Sequence, residues 1–378
     1  MSESNTNSQI TRAKVAIIGA GPAGSATALH LAQLGIEGVT IVDLHEFPRD
    51  KTCGSGLSPR AITALKELEV WDAIEPIAYP IHGLRVVSRD GSDAWMSGGA
   101  QAGAVVCLRH DLDFEIHKRS LERGVNFLPH FAADTPILRG NRWVGIRAKD
   151  GREVHADQLV IANGAHTNFS TCEGPKKSIH TIMGWWEGVP FRANHVEMFW
   201  DDLTLPYYGW LFPESAERVN IGITYEDDNK LKNARRIFQS FLDKHFHERL
   251  QGATQIGKWK GHPIVYTYRI GKLWSPGRVV IGEAGRMTHP ATGEGIYQGM
   301  RSGMFAAEAL AEILRGEASE EEAMTRYDRR CATTFLPSFW AGGFFRQVLQ
   351  TTPFLDYVVK ATNMPRIQAA TARVLAHM

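Results

Sequence analysis

The hydrophobic pattern near the N-terminus alternates between short apolar runs and a longer Ala/Leu-rich segment. Lys14–Ile18 and Val39–Val42 are short and rich in β-branched residues, which is typical of strands buried on both faces. Between them, Ser25–Leu34 has the composition of a helix and ends at Gly35. A strand, a helix and a second strand in this order predict a βαβ unit with parallel strand pairing.

The rest of the pattern predicts hairpins and helices, and it changes character near residue 176. Asp90-Gly91 and Asp150-Gly151 lie between alternating runs, which indicates two β-hairpins. From residue 176 tryptophan and tyrosine become frequent and the apolar period approaches two, as in an antiparallel sheet. Further helices are predicted at 59–68, 112–123, 233–250 and 295–314, a buried strand at 278–281, and a mostly helical segment at 317–378 with breaks at Pro337, Pro353 and Pro365.

Composition restricts the class of protein. The chain has 378 residues, enough for two domains at about 150 residues each. Hydrophobic residues make up 43% and charged residues 22%, which excludes a disordered or fibrous protein. The formal net charge of +1 supplies no general field for nucleic acid, so we expect no nucleic-acid partner. The 36 glycines and 10 tryptophans are the unusual feature, and both need an explanation.

Cysteine spacing and the N-terminus give expectations about metals and location. The four cysteines are scattered, without the spacing of a zinc or iron–sulfur site, so we expect no metal. Isolated thiols favour a reducing compartment, and we expect a cytoplasmic protein. Residues 1–12 lack a signal-peptide pattern and are predicted to be a disordered tail. The uncharged stretch 15–36 holds four glycines and a proline, which favours a buried strand and helix over a transmembrane segment.

The glycine motif between the first strand and the first helix is the sharpest chemical signal. Gly19, Gly21 and Gly24 have the spacing G-x-G-x-x-G, with Pro22 and Ala23 between the last two. In this context the glycines permit a tight turn, close approach of a pyrophosphate and close helix packing. The helix N-terminus offers free N–H groups to phosphate, and Asp43 after the second strand is placed to accept from ribose hydroxyls. The motif predicts a dinucleotide site.

A second glycine-rich region favours FAD over NAD as the resident dinucleotide. The sequence contains no second glycine motif of the kind that a separate nicotinamide-binding domain would need. Residues 277–285 instead predict a strand that ends in glycine and an acid. The segment 290–296 then leads into a long helix. A helix N-terminus near the pyrimidine ring suits a flavin, because reduction makes that ring anionic. Reduced NAD(P)H is expected only as a transient electron donor.

These segments resemble the geranylgeranyl reductase family of FAD proteins, within the p-hydroxybenzoate-hydroxylase-like superfamily. The resemblance rests on the glycine turn and on the segments 50–58, 282–285 and 292–296. Tyr208-Gly-Trp-Leu-Phe-Pro213 is similar to the family's Y-x-W-x-F-P substrate wall, and Arg109 to an arginine that contacts FAD. The turn, the acid and the resemblance together imply cofactor contacts at Gly19, Gly21, Pro22, Ala23, Gly24, Asp43, Lys51, Cys53, Gly54, Arg109, Gly164, Gly282, Glu283, Gly293, Glu294, Gly295 and Ile296.

Several positions depart from the family pattern. Glu283 stands where the family has aspartate, Asn163 replaces the aspartate of A-D-G, and Ser55 replaces a glutamate in the cysteine loop. Glutamate keeps the acceptor but adds a methylene, while asparagine removes a carboxylate associated with cofactor positioning. These changes indicate a specialised member of the family.

Four residues are candidates for catalysis: Cys53, His289, Tyr208 and Trp210. Cys53 either tunes the flavin and substrate face or is a small buried hydrophobe in a turn. His289 is either a general acid or a loop histidine. For Tyr208 and Trp210 the family motif favours a pocket wall, whereas the neighbouring tryptophans suit a sheet core.

The expected fold is α/β (α+β). It combines a Rossmann-like FAD-binding domain, an inserted antiparallel β-sheet substrate domain and a helical C-terminal region. The expected boundaries are 13–80, 100–175 and 275–315 for the FAD-binding domain, 81–99 and 176–274 for the substrate domain, and 316–378 for the helical region.

The sequence favours a flavin monooxygenase. Such an enzyme would hydroxylate an aromatic small molecule, or a tryptophan side chain of a partner protein, through a C4a-hydroperoxide. The tryptophan-rich wall and the altered acids favour it. One alternative is reduction of isoprenoid C=C bonds, as the family name implies. Another is a flavin-bound assembly factor with little turnover. We expect a hydrophobic or aromatic partner molecule, and the oligomeric state stays open.

Overall fold

A computed structural model describes residues 10–97, 103–174, 176–226, 233–351 and 354–362. Its first sheet has eight strands, six of them in the order β17-β18-β11-β1-β2-β8. The strands of this sheet are β1 (Ile10–Ile18), β2 (Val39–Val42), β8 (Asn126–Leu128), β9 (Ala133–Arg139), β10 (Arg142–Ala148), β11 (Glu153–Ile161), β17 (Trp274–Ser275) and β18 (Arg278–Val280). β1 pairs in parallel with β2 and β11, and β9 and β10 form the hairpin beside β11.

β1 is buried on both faces, as its apolar run predicts. Val15 and Ile17 pack in one core with the helices α1 (Pro22–Gln33) and α6 (Ile296–Arg315). Ala16 and Ile18 face a second core on the other side of the sheet. The expected βαβ unit is present, with Val15 opposite Val39 in parallel register.

The second sheet has seven strands in the order β16-β12-β15-β14-β13-β5-β6. Its strands are β5 (Gly83–Val87), β6 (Asp93–Ser97), β12 (Lys177–Glu187), β13 (His195–Phe199), β14 (Gly209–Pro213), β15 (Arg218–Tyr225) and β16 (Thr254–Tyr266). All pairs are antiparallel except β5 with β13. The helix α5 (Ala234–Phe246) packs three phenylalanines against this sheet. The division into domains at the expected boundaries stays a prediction.

The remaining elements surround the two sheets. They are α2 (Pro59–Glu67), α3 (Trp71–Ile74), α4 (Arg109–Glu122), α7 (Glu320–Thr351), α8 (Phe354–Thr362) and a small sheet of β3 (Gly56–Leu57), β4 (Tyr79–Ile81) and β7 (Ala104–Val106). Three 3₁₀ turns lie at Glu75–Ile77, Gly164–His166 and Gly282–Gly285. Within the described part of the chain, no helix is both long and apolar enough to cross a bilayer.

Two expectations from the sequence need correction. The tail was expected to extend to residue 12, but β1 starts at Ile10 because residues 10–12 pair with 153–155 of β11. A helix break was expected at Pro337, yet α7 continues through it. Phe335 and Phe339 on either side are buried in the core, and their packing outweighs the roughly 3 kcal/mol that an interior proline costs. Residues 1–9, Pro353 and Pro365 lie outside the described residues.

Candidate functional site

The glycine turn has the tight geometry that its spacing predicts. Gly19 has a φ of +111°, and a Cβ there would lie 2.6 Å from the carbonyl oxygen of Ala162. A Cβ on Gly24 would lie 1.9 Å from the carbonyl oxygen of Gly19. Gly21 differs, because a Cβ there would meet only Nη2 of Arg49, at 3.7 Å. Gly19 and Gly24 therefore hold strand and helix together, while Gly21 leaves space ahead of the helix.

The start of α1 and Arg49 together form an anion site. α1 begins at Pro22 behind Gly21, and no side chain caps its free N–H groups. Nη1 of Arg49 is buried and has no hydrogen-bond partner among the described residues. A helix N-terminus beside an unmatched guanidinium N–H is suited to phosphate oxygens. Arg49 belongs to no local motif, and for that reason it was not predicted from the sequence.

Asp43 lies at the end of β2 with both oxygens already oriented. Its Oδ2 accepts from the backbone N–H of Ala20 at 2.7 Å, and its Oδ1 accepts from that of His45 at 2.8 Å. A carboxylate retains further lone pairs after two such bonds. The side chain is thus fixed in place and can still accept from a hydroxyl.

Arg109 and Asp113 form a buried pair on α4. Nε and Nη2 of Arg109 donate to the two carboxylate oxygens at 2.6 and 2.7 Å. Nη2 of Arg49 lies 3.1 Å from the same carboxylate, which is fully buried. Although burial disfavours a charged guanidinium, the adjacent carboxylate raises the pKa of Arg109 above its usual range. One buried acid therefore holds two arginines, and the sequence did not identify Asp113.

The loop that carries Cys53 lies against an aromatic wall. Sγ of Cys53 accepts from the backbone N–H of Ser55 at 3.3 Å, which bends the loop. A Cβ on Gly54 would lie 3.4 Å from the ring of Phe212 and 3.5 Å from Nε1 of Trp210. The loop therefore lies over β14 with room for one methyl group, and Cys53, the residue before Gly54, is only partly buried.

The wall consists of the aromatic residues of the Tyr208–Pro213 motif. Nε1 of Trp210 donates to Oδ1 of Asn220 at 2.7 Å, which fixes its indole plane. The hydroxyl of Tyr208 donates to the carbonyl of Thr292. Burial, with the nearby groups of Cys53 and Glu294, raises the pKa of Tyr208, so the phenol stays protonated at neutral pH. Tyr208 thereby links the wall to the second glycine segment.

Two of the other tryptophans of this region belong to cores, and one of them, Trp200, also lies with its ring 5.7 Å from that of Tyr208. Trp186 belongs to the core between the second sheet and α5, and Trp200 to a core below α7. Nε1 of Trp185 donates to Glu214 at 3.0 Å. The sheet-core interpretation therefore holds for Trp186 and Trp200, and the aromatic wall is smaller than the tryptophan content indicates.

The 3₁₀ turn after β18 packs tightly between two helices. A Cβ on Gly282 would lie 3.1 Å from Cα of Gly299 and 3.3 Å from Cβ of Ala23. Glu283, which follows it, accepts from the backbone N–H of Val265 through Oε1 at 3.0 Å. Its Oε2 lies beside Gly164, whose φ is +74°. The longer glutamate thus reaches β16, and this contact accounts for the added methylene.

A lysine and two histidines surround this glutamate. Nζ of Lys51 lies 2.9 Å from Nε2 of His262, and the rings of His262 and His166 are 5.6 Å apart. Burial and the charge of Arg109 lower the pKa of Lys51. Lys51 was expected near the cofactor, whereas the histidines come from distant segments and were not predicted.

His289 is bonded entirely within the protein. Its Nδ1 accepts from the backbone N–H groups of Ala291 and Thr292 at 3.3 and 3.2 Å, and its Nε2 donates to the carbonyl of Ser338 at 3.1 Å. Burial lowers its pKa to about 4, so the ring is neutral at pH 7. Both ring nitrogens are thus bonded to backbone groups that shape the loop, and the role of His289 as a general acid stays a prediction.

The loop from residue 289 leads into the N-terminus of α6. Gly293, with a φ of +70°, donates its N–H to the carbonyl of His289 at 2.9 Å. Gly295 precedes Ile296, the first residue of α6, and no side chain caps the helix. Oε1 of Glu294 is buried without a partner among the described residues, and burial raises its pKa. An uncapped helix start with this geometry can stabilise an anionic ring placed ahead of it.

A buried polar network connects α7 to the same loop. Nη1 of Arg346 donates to the hydroxyl of Tyr207 and lies 3.4 Å from the carbonyl oxygen of Pro290. The same nitrogen is 3.4 Å from Oε2 of Glu226, which accepts from Tyr207 and, through its other oxygen, from Tyr266. Tyr207 and Tyr266 are fully buried. The network lay beyond sequence reasoning, because its members come from four separate segments.

Comparisons with known proteins agree with this geometry. A family model described as an FAD binding domain matches residues 12–335. The chain is 30% identical over 323 residues to menaquinone reductase of Mycolicibacterium smegmatis, covering 79% of this chain and 76% of the relative. It is 26% identical to digeranylgeranylglycerophospholipid reductase of Picrophilus torridus, covering 89% and 87%. The crystal structure of a geranylgeranyl bacteriochlorophyll reductase-like protein of Thermoplasma acidophilum superposes with a TM-score of 0.82 at 19% identity, covering 97% of this chain and 96% of that one, which shows the shared fold.

Proposed function

The chain belongs to the FAD-binding domain family as a geranylgeranyl-reductase-like FAD-dependent oxidoreductase, and we propose that it reduces a carbon–carbon double bond in an isoprenoid chain. The substrate we propose is a lipid that carries such a chain, either a prenylated quinone or a prenylated glycerolipid.

The residues present fit FAD at both ends of the site. Nη1 of Arg49 is a buried donor without a partner beside the uncapped start of α1, and a pyrophosphate would satisfy both. Asp43 would accept from the ribose hydroxyls. Glu283, in the 3₁₀ turn after β18, would face the ribityl chain. The uncapped start of α6, behind Gly295, would face the isoalloxazine. When bound, FAD supplies the hydride-transfer chemistry.

The observation that carries the proposal is the packing of the Cys53 loop on the aromatic wall. A Cβ on Gly54 would make ordinary contacts with Phe212 and with Nε1 of Trp210, at 3.4 and 3.5 Å, so the loop that carries Cys53 lies about one methyl group from the wall. The polar atoms of the wall are already paired, because Trp210 bonds Asn220 and Tyr208 bonds Thr292. A surface of this kind binds an unsaturated hydrocarbon by shape and excludes water.

Two lines of reasoning favour reduction over the monooxygenase that the sequence favoured. The relatives with 30% and 26% identity are both named reductases, and their named substrates both carry prenyl chains. Trp186 belongs to a core, as expected, and Trp200 is buried in another core where its ring adjoins that of Tyr208, so the exposed wall is small. Hydroxylation of an aromatic substrate stays the second candidate, because Tyr208, Trp210 and Phe212 still form a wall that could stack on a ring.

An anaerobic turnover experiment tests the proposal. The purified holoprotein is reduced by dithionite or by NAD(P)H and mixed with menaquinone or with a geranylgeranylated glycerolipid. The quinone ring of menaquinone is reoxidised before the product mass is measured, because the reductant also forms the hydroquinone. We then expect a lipid whose prenyl chain has gained two hydrogen atoms at one C=C bond, without oxygen. A product formed only in air, with one added oxygen atom, would support the monooxygenase. The C53A variant should retain bound FAD and lose turnover of the lipid. C172A changes a thiol outside the proposed site, and it should retain both bound FAD and turnover.

A further inference from the structure

Helix α7 has two faces with different properties. Its inner face contacts the site loop, since Ser338 accepts from His289 and Arg346 reaches Pro290. Its outer face carries two aromatic side chains one turn apart: Trp340 is 57% exposed and Phe344 is 71% exposed. Large aromatic side chains at this exposure are uncommon on a protein surface, and two on consecutive turns mark a contact site.

The charge around these aromatic residues is positive. The stretch 329–351 of α7 contains three arginines and no aspartate or glutamate, whereas 320–328 contains three glutamates and an aspartate. Arg330 and Arg346 pair with acids of neighbouring segments. The unbalanced charge is therefore that of Arg329, which is exposed.

Two further cations lie beside Tyr268, the residue whose carbonyl accepts from Trp340. Nε1 of Trp340 donates to the carbonyl of Tyr268 at 2.9 Å, and Nζ of Lys177 lies 5.6 Å from the centre of the Tyr268 ring. Arg269, the next residue, is exposed. The outer face of α7 thus combines an aromatic stripe with cations along its edge.

We propose that Trp340, Phe344, Lys177 and Arg269 form a docking surface for the anionic face of a lipid bilayer. Aromatic side chains favour the membrane–water interface, and an exposed helical face with aromatic and basic residues inserts to shallow depth. Lysine and arginine are attracted by anionic lipid headgroups. The 329–351 stretch of α7, which has exposed rings and no acid, has the complementary chemistry. The inference rests on the proposed function for its purpose, because docking would bring a membrane-borne lipid to the helix that holds the site loop.

Vesicle binding of the full-length holoprotein tests this surface. The protein is sedimented with phosphatidylcholine vesicles that contain or lack phosphatidylglycerol. We expect binding that requires the anionic lipid and weakens with added salt. F344Q and W340Q should each lower the partition coefficient roughly tenfold, as expected for withdrawing one aromatic side chain from the interface. K177E should lower it as well. L138Q changes a leucine of β9 that is 52% exposed and should bind as the wild type does.

Three outcomes would overturn the inference. The first is that the wild-type protein does not sediment with anionic vesicles. The second is that F344Q binds these vesicles as well as L138Q does. The third is that the protein does not bind vesicles and light scattering shows a dimer that F344Q dissociates, in which case the surface joins two copies of this chain. A short-chain, water-soluble prenyl substrate separates the two proposals. If F344Q reduces it at the wild-type rate but loses vesicle binding, docking is supported independently. If no variant reduces it, the proposed function fails while the vesicle result still stands.

Discussion

The imidazole of His289 donates from Nε2 to the carbonyl of Ser338 at 3.1 Å, and this bond ties the loop before α6 to the middle of α7. The other ring nitrogen accepts two backbone N–H groups of the same loop. A neutral histidine with one specified tautomer therefore fixes the entry to α6, which is where the proposed flavin site has its second helix N-terminus. Helix α7 lies outside the glycine motifs, yet it helps to position the loop of the proposed site.

His289 gives a prediction for stability against pH. Its pKa in the folded protein is about 4, below the 6.5 of an exposed histidine, so the unfolded chain binds a proton that the folded chain does not. The contribution of His289 is fully present above pH 6.5, decreases as the pH falls toward 4, and amounts to about 3 kcal/mol at most. Urea unfolding at pH 7 and pH 5 should show a smaller difference for H289N than for wild type. An identical pH dependence in both proteins would contradict the assignment.

Asp113 is predicted to be the acid on which the arginine pair depends. D113N removes the charge that holds Arg109 and Arg49, and breaking a buried pair in this way costs roughly 3–5 kcal/mol. We expect D113N to unfold at lower temperature and to lose FAD on gel filtration. D111N alters a partly exposed acid on the same helix and should retain both stability and FAD. Equal behaviour of the two variants would argue against the role of Asp113.

Gly54 should tolerate one carbon and no more. A Cβ at this position makes ordinary contacts with Phe212 and Trp210, so G54A should fold and turn over nearly as the wild type does. G54V adds methyl groups that displace the loop from the wall, and we expect it to lower kcat/KM for the lipid at least tenfold. The double variant G54V/F212A should recover part of the loss, because it removes the ring in contact. Additive losses in this cycle would show that the loop and the wall are not coupled.

Arg346 is predicted to position the loop before α6 through its contact with the carbonyl of Pro290. R346M removes the donor to the carbonyl of Pro290 and the positive charge beside Glu226, which keeps its two tyrosine donors. We expect weaker FAD binding by roughly tenfold and a shifted visible spectrum of the bound flavin, since the helix start would move relative to the ring. R236M changes an exposed arginine of α5 and serves as the control. FAD affinity equal to that of R236M would mean that the network only stabilises the fold.

The sequence predicted local features well because their causes are local. The turn from Gly19 to Gly24, the strand that ends at Val42 and the helix that begins at Pro59 follow from spacing and residue type, and each is present. The partners of Arg49 and Lys51 could not be predicted, since Asp113 and His262 meet them only after the chain has folded. The break expected at Pro337 failed for a related reason, because packing of distant helices outweighs a local propensity.

The proposed lipid reduction is tested most directly by the product of one anaerobic turnover. Reduced holoprotein and a prenylated quinone are mixed without oxygen, and the product mass is measured together with that formed by C53A. Because the reductant also converts the quinone ring to the hydroquinone, the protein is removed and the ring is reoxidised before the mass is measured. The account then predicts two added hydrogen atoms in the prenyl chain from the wild type and little or none from C53A. An unchanged lipid under nitrogen, with a singly oxygenated aromatic product once air is admitted, would contradict it.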